Sequence, residues 1–229
     1  MPKPLPEQRI KGFIFDMDGT IVDSMPVHLC AWTSFLSSQG ITLTPEMFEA
    51  KNRGTIREII TAFFGTGISA ARRDALGAEK EALFRSMYRG KVKPVSGFPE
   101  FLRRAHAAGM KLGLASMANR ANVDLVLDAL GLRPFFHAIV NGDDVARGKP
   151  HPEVFNRALS QLSLLPQEAL VFEDAASGIQ AASAAGIKAI GLTTTHSGRE
   201  LMEWGAEKAI ADFDEIDPSG PFFRRNPSG

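Results

Sequence analysis

The stretch GFIFDMDGT, residues 12–20, places two carboxylates and a glycine directly after a short apolar run. The run Gly12–Phe15 is apolar throughout, which is typical of a strand that is covered on both faces of a parallel sheet. Asp16 and Asp18 therefore lie where this strand ends. In open parallel sheets ligands bind at that edge, so the pair marks a candidate functional site.

Further apolar runs follow and alternate with segments of helical periodicity. The predicted strands are Lys111–Ala115, Ala138–Val140, Ala169–Phe172, Lys188–Leu192 and, with the weakest pattern, Lys208–Ala211. Between them, apolar residues recur at helical spacing, as in the segment from Val123 to Leu130, which stops at Gly131. This alternation predicts an α/β fold: a Rossmann-like parallel sheet core with helices on both faces.

One region, residues 23–95, contains no convincing strand. Its helical stretches are Met25–Gln39, Thr55–Phe64 and Ser69–Arg89. We therefore expect an all-α cap domain at 23–95, inserted after the first strand, and a catalytic α/β core made of 1–22 and 96–229. The Pro- and Gly-rich tail from Asp217 to Gly229 is expected to be a loose end that Phe222 and Phe223 could dock.

Composition excludes several classes of protein. The 229 residues carry 26 Lys plus Arg and 26 Asp plus Glu, so no excess of positive charge indicates a nucleic-acid partner. The first apolar run is far too short to cross a membrane. The single Cys30 cannot form an internal disulfide, which favours a cytoplasmic location, and its apolar neighbours predict a buried, packed thiol. We expect a monomer or weak dimer whose partner is a small molecule.

Other polar residues follow predicted strands or precede predicted helices. They are Ser116 after the second strand, Lys149 before a helix, and Glu173 and Asp174 after the fourth strand. By Coulomb's law, four acids in one partly dry cleft would repel each other by on the order of several kcal/mol at short range, unless a cation lay among them. Oxygen-only ligands favour Mg²⁺. A cation beside a lysine and a hydroxyl suits a phosphate-bearing substrate.

Each of these residues also has a simpler explanation when it is taken alone. Ser116 or Asn119 could cap a helix, Asp174 could do the same, and Lys149 could be a solvated charge. A calcium loop is excluded, because Thr20 and Ile21 stand where that loop needs an acid or Asn and then a glycine. The convergence of all the groups on one edge favours the catalytic interpretation.

Four motifs in this order carry a family resemblance. They are Asp16-Met17-Asp18-Gly19-Thr20, Ser116, Gly148-Lys149-Pro150 and Glu173-Asp174. Over nearly its full length the chain resembles the haloacid dehalogenase superfamily of aspartate-based phosphotransferases. Its helical insert resembles the cap of the subgroup that includes β-phosphoglucomutase and many sugar-phosphate phosphatases.

The resemblance implies a role for each core residue. Asp16 would attack phosphorus and form an aspartyl-phosphate, and Asp18 would act as general acid and then as general base. Asp16, Asp174 and the backbone carbonyl of Asp18 would hold Mg²⁺, with Glu173 in direct or water-mediated support. Phosphoryl oxygens would be held by Ser116, Asn119 and Lys149.

The cap supplies further candidates. Thr55 and Glu58 have the spacing of a capping box that begins a helix. Arg57, between them, opposes the helix dipole unless an anion lies nearby. The segment Gly54-Thr55-Ile56-Arg57 resembles the stretch of the mutase that holds the second, non-reacting phosphate of the substrate. His28 and Lys80 match other positions of that cap. His28 could be an ordinary helix histidine, but it lies about one helical turn from the hinge and would face the acids.

These features predict a Mg²⁺-dependent phosphatase acting on a small phosphorylated metabolite, most simply a sugar phosphate. The segment Ser116-Met117-Ala118-Asn119-Arg120 lacks a hydroxyl and a cation found in the mutase, which favours hydrolysis. A β-phosphoglucomutase-type phosphohexomutase is the alternative that Arg57, Lys80 and His28 support. A non-catalytic binding protein on the same fold is the second alternative. His196 receives no role and is read as part of a polar loop.

Overall fold

The computed structural model describes residues 10–218 and 220, and the tail containing Phe222 and Phe223 lies outside this range. Its centre is a six-stranded, wholly parallel sheet in the order β3-β2-β1-β4-β5-β6. The strands are β1 Gly12–Phe15, β2 Lys111–Ala115, β3 Ala138–Val140, β4 Ala169–Glu173, β5 Lys188–Leu192 and β6 Lys208–Ile210. The predicted fold class is confirmed.

Alternate residues of the strands supply two cores, one on each face of the sheet. Phe13 and Phe15 of β1 point into a cluster with Phe172 of β4, and the rings of Phe15 and Phe172 stack at 5.1 Å. Ile14, between them, points into the opposite cluster with Val171. Burial on both faces explains why the strands read as continuous apolar runs.

Helices cover both faces of the sheet. In the part that follows the insert they are α5 Phe98–Ala107, α6 Arg120–Leu130, α7 Glu153–Leu162, α8 Ala176–Ala184 and α9 Gly198–Glu203. Helix α6 ends as predicted at Gly131, which adopts a left-handed conformation with φ of 64°. A polar residue, Asn119, begins the same helix by accepting a hydrogen bond from the backbone of Asn122.

Between β1 and α5 the chain forms four helices with no strand among its described residues. They are α1 Met25–Ser38, α2 Pro45–Lys51, α3 Ile56–Phe64 and α4 Ala70–Tyr88. A separate apolar cluster lies among them, formed by residues such as Trp32, Phe35, Ile60 and Leu76. This separate hydrophobic core supports our proposal that residues 23–95 form a cap domain. The capping box of Thr55 and Glu58 is present at the start of α3.

The prediction that Cys30 is a packed thiol is wrong, because its side chain is exposed. The buried positions of α1 are Ala31, Trp32, Phe35 and Leu36, which share one helical face that Cys30 does not lie on. Apolar neighbours in sequence do not bury a residue when the helix turns it outward. Among the described residues, no helix is both long and apolar enough to cross a lipid bilayer.

Candidate active site

The sheet order brings the predicted core residues together. Strand β1 lies between β2 and β4, so Asp16 after β1, Ser116 after β2 and Glu173 at the end of β4 share the carboxyl edge. A cavity of about 400 Å³ opens there. Of the predicted site residues, its walls contain Asp16, Asp18, His28, Gly54, Lys80, Ser116, Lys149, Glu173 and Asp174. Thr55, Arg57 and Asn119 are not among them.

Lys149 is the positive centre of the site and is only 4% exposed. Its ammonium donates to Asp16 Oδ1 at 2.6 Å, to Glu173 Oε1 at 2.7 Å and to the Ala115 carbonyl at 2.9 Å. Burial lowers the pKa of Lys149, but the two carboxylates outweigh burial and raise it above its ordinary value. The lysine therefore stays charged beside Asp16, and a phosphoryl oxygen would replace one of its three acceptors.

Glu173 positions its neighbours through both oxygens. While Oε1 accepts from Lys149, Oε2 accepts from the backbone N–H groups of Asp174 at 2.9 Å and Ala175 at 3.0 Å. Gly178 leaves room for this carboxylate, because a Cβ there would lie 1.7 Å from Oε1. With both oxygens engaged, Glu173 is suited to a water-mediated contact with a metal rather than a direct one.

The pKa values show an excess of negative charge in the cavity. Burial, and then Glu173 and Asp18, raise the pKa of Asp16 to about 8 despite the ammonium of Lys149. Burial, and then Glu173 and Asp16, raise the pKa of Asp174 well above its usual value. Three buried acids thus lie around the ammonium of Lys149, and two of them resist ionisation unless more positive charge is present.

The donor set fits Mg²⁺. Asp16 and Asp174 offer carboxylate oxygens, and a hard, oxygen-binding divalent cation would relieve the repulsion that raises their pKa values. Within residues 10–218 no three Asp, Glu, His or Cys side chains form a ready-made ligand cluster. A site with two carboxylates, one backbone carbonyl and substrate or water oxygens does not require one, and Mg²⁺ usually keeps several waters.

Ser116 and Asn119 have different surroundings. Ser116 is 1% exposed, and its hydroxyl accepts from the backbone of Ala118 at 3.0 Å and can still donate its proton to a ligand oxygen. The Asn119 side chain accepts from the backbone N–H of Asn122 at 3.0 Å as the cap of α6. The structure thus places Asn119 as a helix cap outside the cavity walls, which was its simpler explanation.

A hydrogen-bonded chain runs from Asp18 into the cap. Ser24 donates to Asp18 Oδ1 at 2.5 Å, and Nε2 of His28 lies 3.4 Å from the same oxygen. On the other side of the ring, Nδ1 of His28 lies 3.0 Å from the ammonium of Lys80. Burial would raise the pKa of Asp18, but His28, Ser24 and Lys80 together hold it below its usual value. Asp18 is therefore ionised at neutral pH, whereas Asp16 needs further positive charge nearby to ionise.

Arg57 does not reach the cavity. Its side chain is 67% exposed, and its Nε donates to Asp74 of α4 at 2.9 Å. The anion that a cation in the first turn of α3 requires is therefore supplied by the chain itself. The observation that pointed to a second phosphate of the substrate is explained by this ion pair.

The first turn of α3 instead contacts the core beside Lys149. The carboxylate of Glu58 accepts from the backbone N–H groups of Thr55 at 2.7 Å and of Gly148 at 3.0 Å. A Cβ on Gly148 would lie 2.4 Å from the Cα of Gly54. Gly54 and Thr55 thus help to seat the cap on the loop that carries Lys149, although Thr55 itself does not line the cavity.

Several residues of the cavity walls were not predicted from the sequence. From the cap come Glu49, Asn52, Arg53 and Glu81, and from the core come Thr195, His196 and Trp204. The polar loop after β5 thus reaches the site, where Thr195 hydrogen-bonds to Asp174 and the ring of His196 packs edge-on against Trp204 at 4.8 Å. The sequence did contain a signal for this loop, because the polar run Thr193-Thr194-Thr195-His196 directly follows a predicted strand.

Comparison with known proteins agrees with this geometry. A family model described as haloacid dehalogenase-like hydrolase matches residues 13–192. The fructose-1-phosphate phosphatase YqaB of Escherichia coli K12 is 33% identical over 183 residues, which cover 80% of this chain and 96% of the relative. Validoxylamine A 7'-phosphate phosphatase of Streptomyces hygroscopicus subsp. limoneus is 31% identical over 210 residues, which cover 90% and 95%.

Among solved structures, that of CbbY from Rhodobacter sphaeroides in complex with phosphate superposes with a TM-score of 0.79 at 25% identity, covering 94% of this chain and 99% of that one. The relatives are phosphatases by name, and the predicted enzyme class, a hydrolase of phosphoric monoesters, is confirmed. With a family match across most of its length, the chain belongs to the haloacid dehalogenase-like hydrolases, as its four motifs predicted.

Proposed function

We propose that this hydrolase is a Mg²⁺-dependent phosphatase of a small phosphorylated carbohydrate and that it works through an aspartyl-phosphate on Asp16. The observation that carries the proposal is the contrast between two acids that are two residues apart. Asp16 lies against Lys149 at 2.6 Å, whereas Asp18 is ionised and bonded to Ser24 and His28. One is placed for nucleophilic attack and the other for proton transfer.

In the first step, a carboxylate oxygen of Asp16 forms a bond to phosphorus while the bond from phosphorus to the ester oxygen breaks. Asp18 gives a proton to that oxygen, so the leaving group departs as an alcohol. The proton has to arrive with the substrate or from solvent, since the free Asp18 is ionised. In the second step, Asp18 takes a proton from water, whose oxygen attacks phosphorus and releases inorganic phosphate and Asp16.

The remaining groups stabilise charge on the phosphoryl oxygens. Lys149 and the hydroxyl of Ser116 lie on the side of β2 and can donate to these oxygens in the transition state. A Mg²⁺ ion held by Asp16, Asp174 and the carbonyl of Asp18 would neutralise the negative charge of the phosphoryl group. Glu173 would then act by holding Lys149 and the turn after β4.

The cavity favours a small, hydroxylated leaving group. Apolar side chains such as Trp32 and Phe48 share its walls with Glu49, Asn52 and Arg53. Two relatives are named as phosphatases of fructose 1-phosphate and of validoxylamine A 7'-phosphate, which supports a phosphorylated carbohydrate as the class of substrate. The cytoplasmic location and the monomer or weak dimer stay predictions.

The two alternative functions are less well supported. The phosphohexomutase hypothesis relied on Arg57, Lys80 and His28. His28 and Lys80 line the cavity, but the guanidinium of Arg57, which was to hold a second phosphate, is bonded to Asp74 outside it. A non-catalytic binding protein would not require two acids at one cavity, Asp16 beside Lys149 and Asp18 beside His28.

The proposal is tested by measuring phosphate release from a panel of sugar phosphates, with the conversion of β-glucose 1-phosphate followed in parallel. We expect Mg²⁺-dependent phosphate release that EDTA abolishes and that Asp16→Asn eliminates. Formation of the isomeric sugar phosphate faster than phosphate release would identify a mutase instead. Undiminished activity in the presence of EDTA would contradict the proposed metal dependence.

A further inference from the structure

Glu81 is a buried carboxylate that the proposed mechanism does not use. It lies on α4 and is 6% exposed. Its Oε1 accepts from the ammonium of Lys80 at 2.8 Å, and its Oε2 accepts from Nδ2 of Asn122 at 2.5 Å. A buried charge of this kind is costly unless it is paired and hydrogen-bonded, and here both oxygens are satisfied.

Asn122 connects this carboxylate to the core. It is fully buried in the first turn of α6, the helix that begins after Ser116. Its Oδ1 accepts from Arg85 of α4 at 2.9 Å, while its Nδ2 donates to Glu81. Since a carboxylate only accepts and a guanidinium only donates, the amide has one possible orientation. A cap helix is thus fixed to the core by a fully directed polar contact.

The direction of each hydrogen bond can be followed from Glu81 to Asp18. Lys80, as an ammonium, has donors only, so Nδ1 of His28 must accept from it. The ring proton of a neutral His28 is then on Nε2, which faces Asp18 Oδ1 at 3.4 Å. The ring is held in place by Phe84, on which it stacks with centroids 3.7 Å apart.

We infer that Glu81 is a positioning residue. Together with Asn122 it holds Lys80, and Lys80 in turn keeps the ring of His28 oriented with an N–H toward Asp18. This arrangement lasts only while α4 is seated on α6. The inference rests on the proposed function and adds to it a cap contact that controls proton transfer at Asp18. Without Glu81, the ammonium of Lys80 loses its carboxylate partner, and the rings of Trp32 and Phe84, whose centroids lie 4.7 and 5.5 Å away, do not direct it at Nδ1 of His28. Asp18 then loses the donor that orients it toward the leaving oxygen.

The test compares kcat/KM for two esters that differ in their need for a proton. Fructose 1-phosphate has a poor, alkyl leaving group, whereas p-nitrophenyl phosphate has a good one. For Glu81→Gln we expect a loss of at least about tenfold on fructose 1-phosphate, in the range of general-acid effects, and less than about twofold on p-nitrophenyl phosphate. Glu79→Gln is the matched control, because Glu79 is exposed on the same helix, and it should leave both values unchanged.

Equal losses on both esters, or no loss on either, would overturn the inference. In a His28→Ala background, Glu81→Gln should add no further ester-dependent loss, and an added one would also overturn it. A wild type that hydrolyses neither ester would contradict the proposed function itself, which separates the two failures.

A second measurement does not need turnover. The ¹⁵N shifts of the His28 ring, assigned with His28→Ala, should show a single tautomer with the proton on Nε2 in the wild type. Glu81→Gln should lose this uniform state. A proton on Nδ1 in the wild type would refute the positioning role even if the variant failed to fold, and an unchanged tautomer in a folded variant would refute it equally.

Discussion

Gly148→Ala should push the cap away from the core where the backbones of Gly148 and Gly54 meet beside Lys149. The added Cβ would lie 2.4 Å from the Cα of Gly54 and 2.5 Å from the backbone N of Thr55. An ordinary contact begins at 3.4 Å, so the two segments must move apart by about 1 Å, which is 3.4 minus 2.4. No side-chain rotation can relieve the overlap, because the atoms that are met belong to the backbone.

Two consequences can be measured. Overpacking of this kind costs on the order of 1–3 kcal/mol, and the hydrogen bond from Gly148 N–H to Glu58 at 3.0 Å must lengthen. Because Lys149 is the next residue, its ammonium shifts relative to Asp16, and a 1 Å misplacement of reacting groups can lower the rate by about a hundredfold. We expect kcat/KM on a sugar phosphate to fall by about ten- to a hundredfold.

Gly67→Ala is the matched control. Its added Cβ meets nothing within 4 Å, so kcat/KM and the melting temperature should stay at the wild-type values. Thermal unfolding of Gly148→Ala distinguishes a displaced cap from an unfolded protein. Wild-type kcat/KM in a folded Gly148→Ala variant would refute the close seating of α3 on the loop that carries Lys149.

Four further outcomes are expected. Asp16→Asn should abolish turnover in a folded protein, and steady-state activity above a few per cent of wild type would contradict the nucleophile. Asp18→Asn should lose more kcat/KM on alkyl than on aryl phosphates, and equal losses would argue against it as the acid. In EDTA, the urea midpoint of unfolding should fall as the pH rises from 5 to 8. Burial and nearby carboxylates raise the folded-state pKa of Asp16 from 3.8 to about 8, so its stabilising contribution is complete below the unfolded pKa and is lost as the pH rises through 8. Asp16→Asn should reduce that fall, and an identical pH dependence in wild type and variant would disprove it. Arg57→Ala should leave kcat/KM unchanged on monophosphates and bisphosphates. It should lower the free energy of unfolding by less than about 1 kcal/mol, since its ion pair with Asp74 is exposed. A loss of kcat/KM confined to a bisphosphate would show that Arg57 contacts the substrate.

The sheet and the catalytic edge could be predicted from the sequence because both depend on local patterns. A strand that is buried on both faces must be apolar along its length, and residues that follow such strands must meet at one edge. The structure changes these strands only at their ends: β4 extends to Glu173 and β6 stops at Ile210. Asp16, Ser116, Lys149 and the Glu173-Asp174 pair therefore come together where the strand ends predict.

The cap could be predicted only as a set of helices. Helix α2 was missed because none of its residues is buried, so it has no apolar stripe to read. Local start signals were present, since Thr44 accepts from the backbone of Met47 and Pro45 occupies the first turn. The partner of Arg57 was not predictable, because Asp74 is 17 residues away and belongs to another helix.

Glu81 shows why the cap contacts resist prediction. Neighbours i and i+1 on a helix do not face each other, so nothing in the sequence connects Glu81 with Lys80, the residue that was predicted to belong to the site. In the structure both are nearly fully buried and are bonded to each other. Their burial depends on α6 of the core, which contributes Asn122 from 41 residues further along the chain. The pattern that would reveal them is therefore tertiary.

The buried acid Glu81 and the buried pair of Asp16 and Asp174 differ in which groups balance their charge. Glu81 is buried with a cation and an amide, and its pKa stays below the usual value because Lys80, together with the hydrogen bond from Asn122, outweighs the effect of burial. Asp16 and Asp174 are buried with a single lysine, and their pKa values rise. Folding alone would favour replacing Asp16 or Asp174 with a neutral side chain, as at many functional sites. The charge that the protein leaves unbalanced at Asp16 and Asp174 is the charge that a divalent cation is suited to balance.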